Sequence, residues 1–560
     1  MKSVLFTPSP LHQVYYFCIL VLALLCSAPA NAQDERFNIV RFNIVGNTLL
    51  PASEMEKLVA PMIGQGKVYG DIQKALEAIE GAYRQAGWST VDVHVPEQEL
   101  TEGVIRIDVT ENVIGKVEIS GNTYFDNANI RAGLVALKEG KVPNLREMSE
   151  GIQLSNENPA KQLEVTLGAG EEEGQVDAKI LVTEENPKRV YMTLDDTGTV
   201  ASGRTRIGIA YQNANVFNRD QTMTLAYTTS PESPRGVQVD IFSFGYRVPF
   251  YTWGDSLDII YGKSSSNTPS NSPTLGGALG ITSKGDVFGL RWNHYFPRRG
   301  EYAGKLIAGL DYKYINARCN AAGIPVSIEP PTPPISSCVP YTSRPMSLTY
   351  TGAKTSPGQI FDYSLGIARN WPMGSQYVNT TGEVDRFSYL TSGNRPTTDE
   401  FTILRFSGTY LKAFENDWQV RVAGNSQYSA KPMLAAEQFG LAGSTAVRGF
   451  NERAVAADKG FLINTELNTP ELASSVGMPG NLRGVLFYDF ARGFNNNSLI
   501  AGAAVVPEKV GIATVGFGLR YSAGKRFSLR ADFAHVLDGG PLGSQARGDQ
   551  RAHFSAMIGF

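Results

Sequence analysis

Residues 191–196 read YMTLDD, residues 206–213 RIGIAYQN and residues 222–229 TMTLAYTT. Apolar and polar side chains alternate in each, the period-2 signature of a strand whose two faces meet different surroundings. The pattern continues through VQVDIFSFGY (237–246), LDIIYG (257–262), VFGLRW (287–292) and KLIAGLDYKY (305–314). It resumes in FDYSLGIA (361–368), RFSYL (386–390), TILRFSGTYL (402–411), WQVRVAGNSQ (418–427), LINTELN (462–468) and GVLFYDF (484–490). TVGFGLRY (514–521), FSLRADFAHV (527–536) and HFSAMIGF (553–560) bring the count to sixteen. A membrane-crossing strand needs about 9–11 residues, and these segments with their connections supply that length. An antiparallel barrel with both ends on one side needs an even strand number, short turns on that side and longer loops on the other. Reading SLTY (347–350) as a further strand gives an odd number. The even count places it in one long outer loop, 316–358, and puts the short connections at Trp371–Ser375 and Phe414–Asp417 on the inner, periplasmic side.

Composition agrees with this reading and leaves one alternative open. The 560 residues include 57 glycines, 10% aromatics and 42% hydrophobic residues, with a net charge of −3. Mean hydropathy is −0.17, and no stretch of the body reaches the ~20 consecutive apolar residues of a spanning helix. Alternating lipid-facing and lumen-facing residues average out in this way, but a soluble all-β protein fits composition equally well. The near-neutral charge gives no indication of a nucleic-acid partner.

The N-terminus decides the compartment. Lys2 precedes an apolar stretch from Val14 to Leu25, and Ala30-Asn31-Ala32 has the small-x-small form of a signal-peptidase site, so residues 1–32 read as a signal peptide. Cys18 and Cys26 leave with it; Leu25 before Cys26 does not suit lipoprotein cleavage. Cys319 and Cys338 remain, flanking a proline-rich stretch. An even pair in an oxidising compartment reads as a disulfide, which would stabilise the chain by roughly 3 kcal/mol; two unpaired thiols are the alternative.

Between the signal and the barrel a pattern occurs twice. Residues 41–49 read RFNIVGNTL and residues 116–124 KVEISGNTY. In the first unit Ile72, Ala75, Leu76, Ile79 and Tyr83 follow at helical spacing, then Val91, Val93, Val95 and Ile105, Ile107, Val109 alternate. In the second, Leu163, Val165, Leu167 and then Val176, Ala178, Ile180, Val182 alternate. Strand, helices, strand, strand describes a small α+β domain present in two copies, expected at 33–111 and 112–188, with the barrel at 189–560. The first RFNIV, at 36–40, reads as a short leader to the second.

The longest late interruption, 431–460, contains QFGLAGSTAVRGF (438–450), and VLFYDFARG (485–493) follows. The motif Val447-Arg448-Gly449-Phe450, with Phe487-x-Asp489 on a later strand, resembles the two-partner secretion transporters, the TpsB or haemolysin secretion/activation family. That family shares a superfamily with the barrel-assembly protein BamA. GNTLLP (46–51) and PEQELTEG (96–103), then GNTYF (121–125) and LSNENP (154–159), resemble that family's two POTRA domains, so the resemblance covers nearly the whole mature chain. It implies a sixteen-stranded antiparallel membrane β-barrel behind two periplasmic α+β POTRA domains, in the outer membrane of a Gram-negative bacterium. It further implies that the VRGF loop folds into the lumen, with Arg448 bonded to Asp489. A planar, always-charged guanidinium suits bidentate capture of a carboxylate, and Gly449 permits a tight turn. A lumenal Arg and a strand Asp that never meet is the alternative. Terminal Phe560, on a strand face with Ile558, Ala556 and Phe554, resembles the sorting signal read by the barrel-assembly machinery. One departure is the short spacing from Gln33 to the first POTRA strand, about eight residues, which leaves little room for the plug helix of some members.

The resemblance implies export of a secreted TpsA-type partner (adhesin, haemolysin or toxin) through the pore as the Arg448 loop shifts, without catalysis, cofactor or metal. POTRA sheet edges would capture the unfolded partner by strand addition. An outer-membrane assembly or insertion factor is the main alternative. A passive porin would not need the POTRA pair, and for a hydrolase His94, His294, His535 and His553 lie in no recognisable catalytic motif.

Overall fold

The computed structural model describes residues 36–560 apart from 100–101, 201, 266–269, 272–279, 282–283, 317–319, 322–323, 326–339, 373–376, 379–383, 386–396, 497–506 and 542–543. The signal segment 1–32 and both Cys319 and Cys338 therefore lie outside the described residues. The chain divides into two compact units, up to Asn112 and from Val113 onward.

The first unit contains β1 (Phe37–Ile39), β2 (Arg41–Val45), α1 (Ala52–Val59), β3 (Gly64–Lys67), α2 (Tyr69–Ala86), β4 (Val91–His94) and β5 (Val104–Glu111). The helical spacing becomes α2, which buries Ile72, Ala75, Ile79 and Tyr83 and ends at left-handed Gly87. Strand β5 is central, parallel to β2 and antiparallel to β4. The expected leader instead forms β1, which pairs with β3 and buries Ile39 against Ile72 and Ile105.

The second α+β body repeats this topology with β6 (Val113–Ser120), α3 (Asn127–Gly133), α4 (Leu145–Asn156), β7 (Lys161–Ala169) and β8 (Gln175–Glu184). Strand β8 is central, parallel to β6 and antiparallel to β7. The recurrent Gly-Asn-Thr has the same physical cause in both copies. Gly46 and Gly121 sit at φ +94° and +85°, and a Cβ would approach the carbonyl oxygens of Val109 and Val182 to 2.2 and 2.3 Å. The amides that follow are collected by a glutamate at the end of the central strand. Glu111 accepts from the Thr48 and Leu49 amides at 2.7 and 2.9 Å, and Glu184 from those of Thr123, Tyr124 and Phe125. Burial pushes the Glu111 carboxyl up, but bonds from Thr48, Leu49 and Tyr83 outweigh it and hold the group below the ordinary glutamate range.

Among the described residues, sixteen antiparallel strands close the barrel. They are β9 (Lys188–Asp195), β10 (Arg206–Val216), β11 (Gln221–Thr229), β12 (Asp240–Phe250), β13 (Asp255–Ser264), β14 (Gly285–Tyr295), β15 (Tyr302–Ile315) and β16 (Tyr341–Ser343 with Pro345–Ser356). Then follow β17 (Gln359–Asn370), β18 (Phe401–Ala413), β19 (Gln419–Tyr428), β20 (Lys459–Asn468), β21 (Asn481–Phe494), β22 (Lys509–Ala523), β23 (Phe527–Asp538) and β24 (Gln550–Gly559). The total matches the sequence expectation, but its membership does not. SLTY lies inside β16, hydrogen-bonded to β15 and β17, so 316–358 is not one loop. RFSYL at 386–390 lies outside the described residues. Parity could count strands but could not choose between two alternating candidates. With β16 in place the chain leaves β17 at the end opposite the second α+β body, so the connection beginning at Trp371 lies there and not on the periplasmic side. Phe414–Asp417 lies at the near end, as expected.

Lipid-facing residues alternate with lumenal ones as the pattern requires. Met346 and Leu348 point outward, and the hydroxyls of Tyr350 and Tyr363 meet that of Tyr302 at 2.5 and 2.8 Å, part of an interfacial aromatic girdle. The seam closes through five residue pairs between β24 and β9, against fourteen between β21 and β22. Main-chain bonds between Phe560 and Val190 extend it, with the Phe560 side chain exposed.

Candidate functional site: the inward loop

Residues 429–458 join β19 to β20 at the far end, yet they turn back into the barrel. A short antiparallel pairing of Phe439–Gly440 with Ala456–Ala457 stiffens the excursion. Val447 and Phe450 bury in an apolar cluster with Leu441, Val455, Leu462, Ala491, Val510, Ile512 and Val536. The residues between them are aimed at the wall. Burial of the two apolar side chains thus positions the Arg448 side chain.

Arg448 is 1% exposed and Asp489 fully buried. Nε and one terminal nitrogen of Arg448 donate to the two Asp489 oxygens, both at 2.7 Å, and the Arg448 amide adds a third bond at 3.1 Å. The other terminal nitrogen donates to Glu466 on β20 at 2.8 Å and lies 3.6 Å from Asp532 on β23. Phe487 lies against the face of the guanidinium, 3.5 Å from ring centre to carbon. The Phe-x-Asp spacing explains itself here. Residues two apart on a strand share a face, so β21 presents a ring for the flat side of the guanidinium and a carboxylate for its edge.

The carboxylates are shared further. Arg520 and Arg530 bind Asp532 at 2.7 and 2.6 Å, Arg421 reaches Glu466 at 3.5 Å, and Asn464 donates to Asp489 at 2.9 Å. Three carboxylates facing four guanidiniums keep the buried charge close to balance. Desolvation offsets much of the attraction in such a cluster, but withdrawing any one member strands a buried charge, so the tip is held firmly in this position.

Gly449 sits at φ +94°, and a Cβ there would meet Ala534 and Thr514 at 3.1 and 3.3 Å, so both conformation and space require glycine. Its amide donates to Nε2 of His553 at 3.0 Å. His553 Nδ1 therefore carries the ring hydrogen and donates to Asp196 at 3.0 Å. Asp196 also accepts the Phe554 amide at 3.0 Å. This relay ties the loop tip to both strands of the seam, β24 and the end of β9.

The structure thus brings Val447, Arg448, Gly449, Phe450, Phe487 and Asp489 together. It leaves Phe560 on the outer surface, and Cys319 and Cys338 are outside the described residues. Sequence reasoning missed Glu466, Asp532, Arg520, Arg530, Asn464, His553 and Asp196. The available signal was charged residues at inward positions of alternating strands, where solvation alone would have explained them. Among the described residues no group of His, Cys, Asp and Glu is arranged to hold a metal ion.

The second α+β body is fixed to the near end of the barrel by a buried polar joint. Lys161 meets Asp220, in the β10–β11 turn, at 2.7 Å with both side chains buried. Asn158 donates to Asp220 and to the Ala214 carbonyl, and the Tyr251 hydroxyl donates to Asp220. Burial pushes the Lys161 ammonium below the ordinary lysine value, against the pull of Asp220. On the same side Glu157 accepts from Arg247 and Lys305, both at 3.3 Å.

Comparison with known proteins adds to this geometry. Residues 174–520 match the family described as haemolysin secretion/activation protein ShlB/FhaC/HecB, and residues 37–112 the ShlB-type POTRA domain. The outer membrane transporter CdiB of Dickeya dadantii (strain 3937) is 21% identical over 429 residues, covering 77% of this chain and 71% of its own. The hemolysin transporter protein ShlB of Serratia marcescens is 21% identical over 465 residues, covering 80% and 77%. The heme/hemopexin transporter protein HuxB of Haemophilus influenzae (strain 86-028NP) is 19% identical over 526 residues, covering 90% and 85%. The solved structure of CdiB from Escherichia coli shares the fold, with a TM-score of 0.72 at 18% identity over 100% of both chains.

Proposed function

The chain belongs to the haemolysin secretion/activation protein family ShlB/FhaC/HecB, and from that premise we propose how it exports a secreted partner across the outer membrane. It is an outer-membrane transporter of the two-partner secretion type, with its POTRA region in the periplasm. The partner is a TpsA-type polypeptide that arrives unfolded. Its extended segments add to POTRA sheet edges through main-chain hydrogen bonds, which carry affinity without demanding a particular sequence. It then passes through the lumen when the loop moves aside, and folding outside makes the passage one-way. The process needs no catalysis and no cofactor.

The observation that carries this reading is the loop lodged across the lumen of a closed barrel that has an α+β body fixed at its mouth. A passive pore has no use for either. Within the proposal, residues 1–32 are a signal peptide, 33–111 and 112–188 the two POTRA domains, and 189–560 the barrel. Cys319 and Cys338 form a disulfide, Phe560 serves recognition by the barrel-assembly machinery, and outer-membrane lipid surrounds the strands. The test is secretion from cells carrying this gene with a candidate partner gene, comparing wild type, Arg448→Ala and a deletion of 33–188. Partner in the medium only with the intact transporter supports export. Loss of other outer-membrane barrels when the gene is removed, with no partner exported, contradicts it.

A further inference from the structure

The loop crosses the lumen between two anchorages of unequal strength. At its tip Arg448 and Gly449 bind β20, β21 and β24 through the buried network described above. At its root the chain is held on the opposite wall. Met433 packs on Phe401 and Ile403, and Leu434 on Tyr341 and Ile315. Glu437 accepts from Lys313 on β15 at 3.0 Å and lies 3.7 Å from Arg405 on β18. Glu437 is buried, but Lys313 and Arg405 are 26% and 50% exposed. Among the described residues Glu437 alone holds the root to β15 and β18 by charge, with partners that water already reaches. Gln427 of β19 adds a bond to its carbonyl at 2.9 Å, so fewer and more exposed polar contacts tie the root than the tip.

Below the root lies open space. Cavities of about 370, 210 and 460 Å³ follow the wall of β14–β19, and Ser364 lines all three. The first begins at Gln153 and Glu157 of the second POTRA domain. The other two end against Glu437, Lys313 and Arg405. Between these ends the wall carries charges of both signs, Lys305 and Asp362 in the first cavity and Arg291 with Asp311, 2.7 Å apart, in the second, set among short polar side chains. Thr351, Ser364, Ser407 and Asn425 form one row of cross-strand neighbours facing the lumen. Hydroxyl and amide groups of this kind exchange hydrogen bonds with a passing main chain, and being short they do not block it.

Resting on the exporter reading above, we propose that the unfolded partner travels along the β14–β19 wall, and that the loop root, Met433–Glu437, is the gate on that path. The Arg448 tip remains anchored as a hinge while the root swings off. The occupant is an extended polypeptide of mixed sequence, matched by chemistry to a wall of short hydroxyl and amide side chains with charges of both signs beside them.

Conductance tests the gate without any partner. Purified full-length protein is inserted into planar lipid bilayers as wild type, as Glu437→Lys, and as the double variant Lys313→Glu/Glu437→Lys. Heat-modifiable gel migration verifies a folded barrel in each, and Leu434→Ala takes the place of any variant that does not fold. The proposal expects a severalfold rise in open-channel conductance for Glu437→Lys and a return toward wild type in the charge-swapped double variant. Wild-type conductance in Glu437→Lys overturns it, as does a double variant as open as the single one. Failure of the exporter reading would be visible separately, as wild-type cells that secrete no partner while these conductances stand.

Discussion

Arg448 touches three carboxylates from one guanidinium, so its removal cannot be local. Arg448→Ala leaves Asp489 buried without its charge partner, and breaking a buried pair from one side costs roughly 3–5 kcal/mol. Denaturant unfolding of the detergent-solubilised barrel is expected to show a loss of that size. Arg448→Lys, which keeps charge but loses the fork, should recover only part of it. Phe487→Ala should loosen the loop while leaving every charge in place. At the same scale, Glu111 gives a pH prediction. Its folded value is depressed, so its contribution is present above the ordinary glutamate value and is lost as pH falls through the folded value. Amide exchange at Thr48 and Leu49 should accelerate relative to the rest of the first unit only once pH has fallen past the ordinary glutamate value to the depressed folded one, and Glu111→Gln should remove that dependence. Arg448 and Asp489 were legible because a rare motif pair carried them. Glu466, Asp532 and His553 were not, because a lone polar residue on an alternating strand looks the same whether it meets water or a loop partner that is distant in sequence, Arg448 or Gly449 here.

At the scale of elements, β16 is the instructive case. Met346-Ser347-Leu348-Thr349-Tyr350 alternates as clearly as any strand in the chain, yet the arithmetic of an even barrel favoured a rival segment. Hydrogen-bond partners on both sides decide the matter, and these are long-range facts that local pattern does not contain. The register makes a sharp prediction. Leu348→Arg places a charge on the lipid face and should destabilise the barrel by about 2–4 kcal/mol near the membrane midplane. Ser347→Arg, one residue away but facing the lumen, should be tolerated. Refolding yield and urea midpoint of the two variants measure the difference, and equal effects would contradict the register. The order of the main elements in the two α+β repeats was legible because both periodicities, 3.6 and 2, are strong there, whereas which strand is central was not. The first RFNIV was misread because it has no Gly-Asn-Thr of its own, and its partner β3 (GQGK) has no apolar alternation to announce it.

For the whole molecule, the described contacts divide into parts that hold and parts that can yield. The joint of Lys161, Asp220, Asn158 and Tyr251 fixes the second α+β body to the barrel mouth. Asp220→Ala would leave the Lys161 ammonium buried without a counter-charge, costing roughly 3–5 kcal/mol at that joint. Limited proteolysis at residues 185–188 should then become faster, while barrel migration on gels stays unchanged. The seam, with its short pairing and its His553–Asp196 link to the loop tip, and the loop root at Glu437 are the weaker attachments. All of these parts serve one movement, that of an unfolded polypeptide from the POTRA side to the far side of a membrane. The most direct measurement places the purified transporter in liposomes, adds its urea-unfolded cognate partner on the POTRA side and follows protease protection. Partner should become protected inside vesicles with wild-type transporter and stay accessible in vesicles without it. Partner that remains fully digestible despite correctly oriented, folded transporter would contradict the claim.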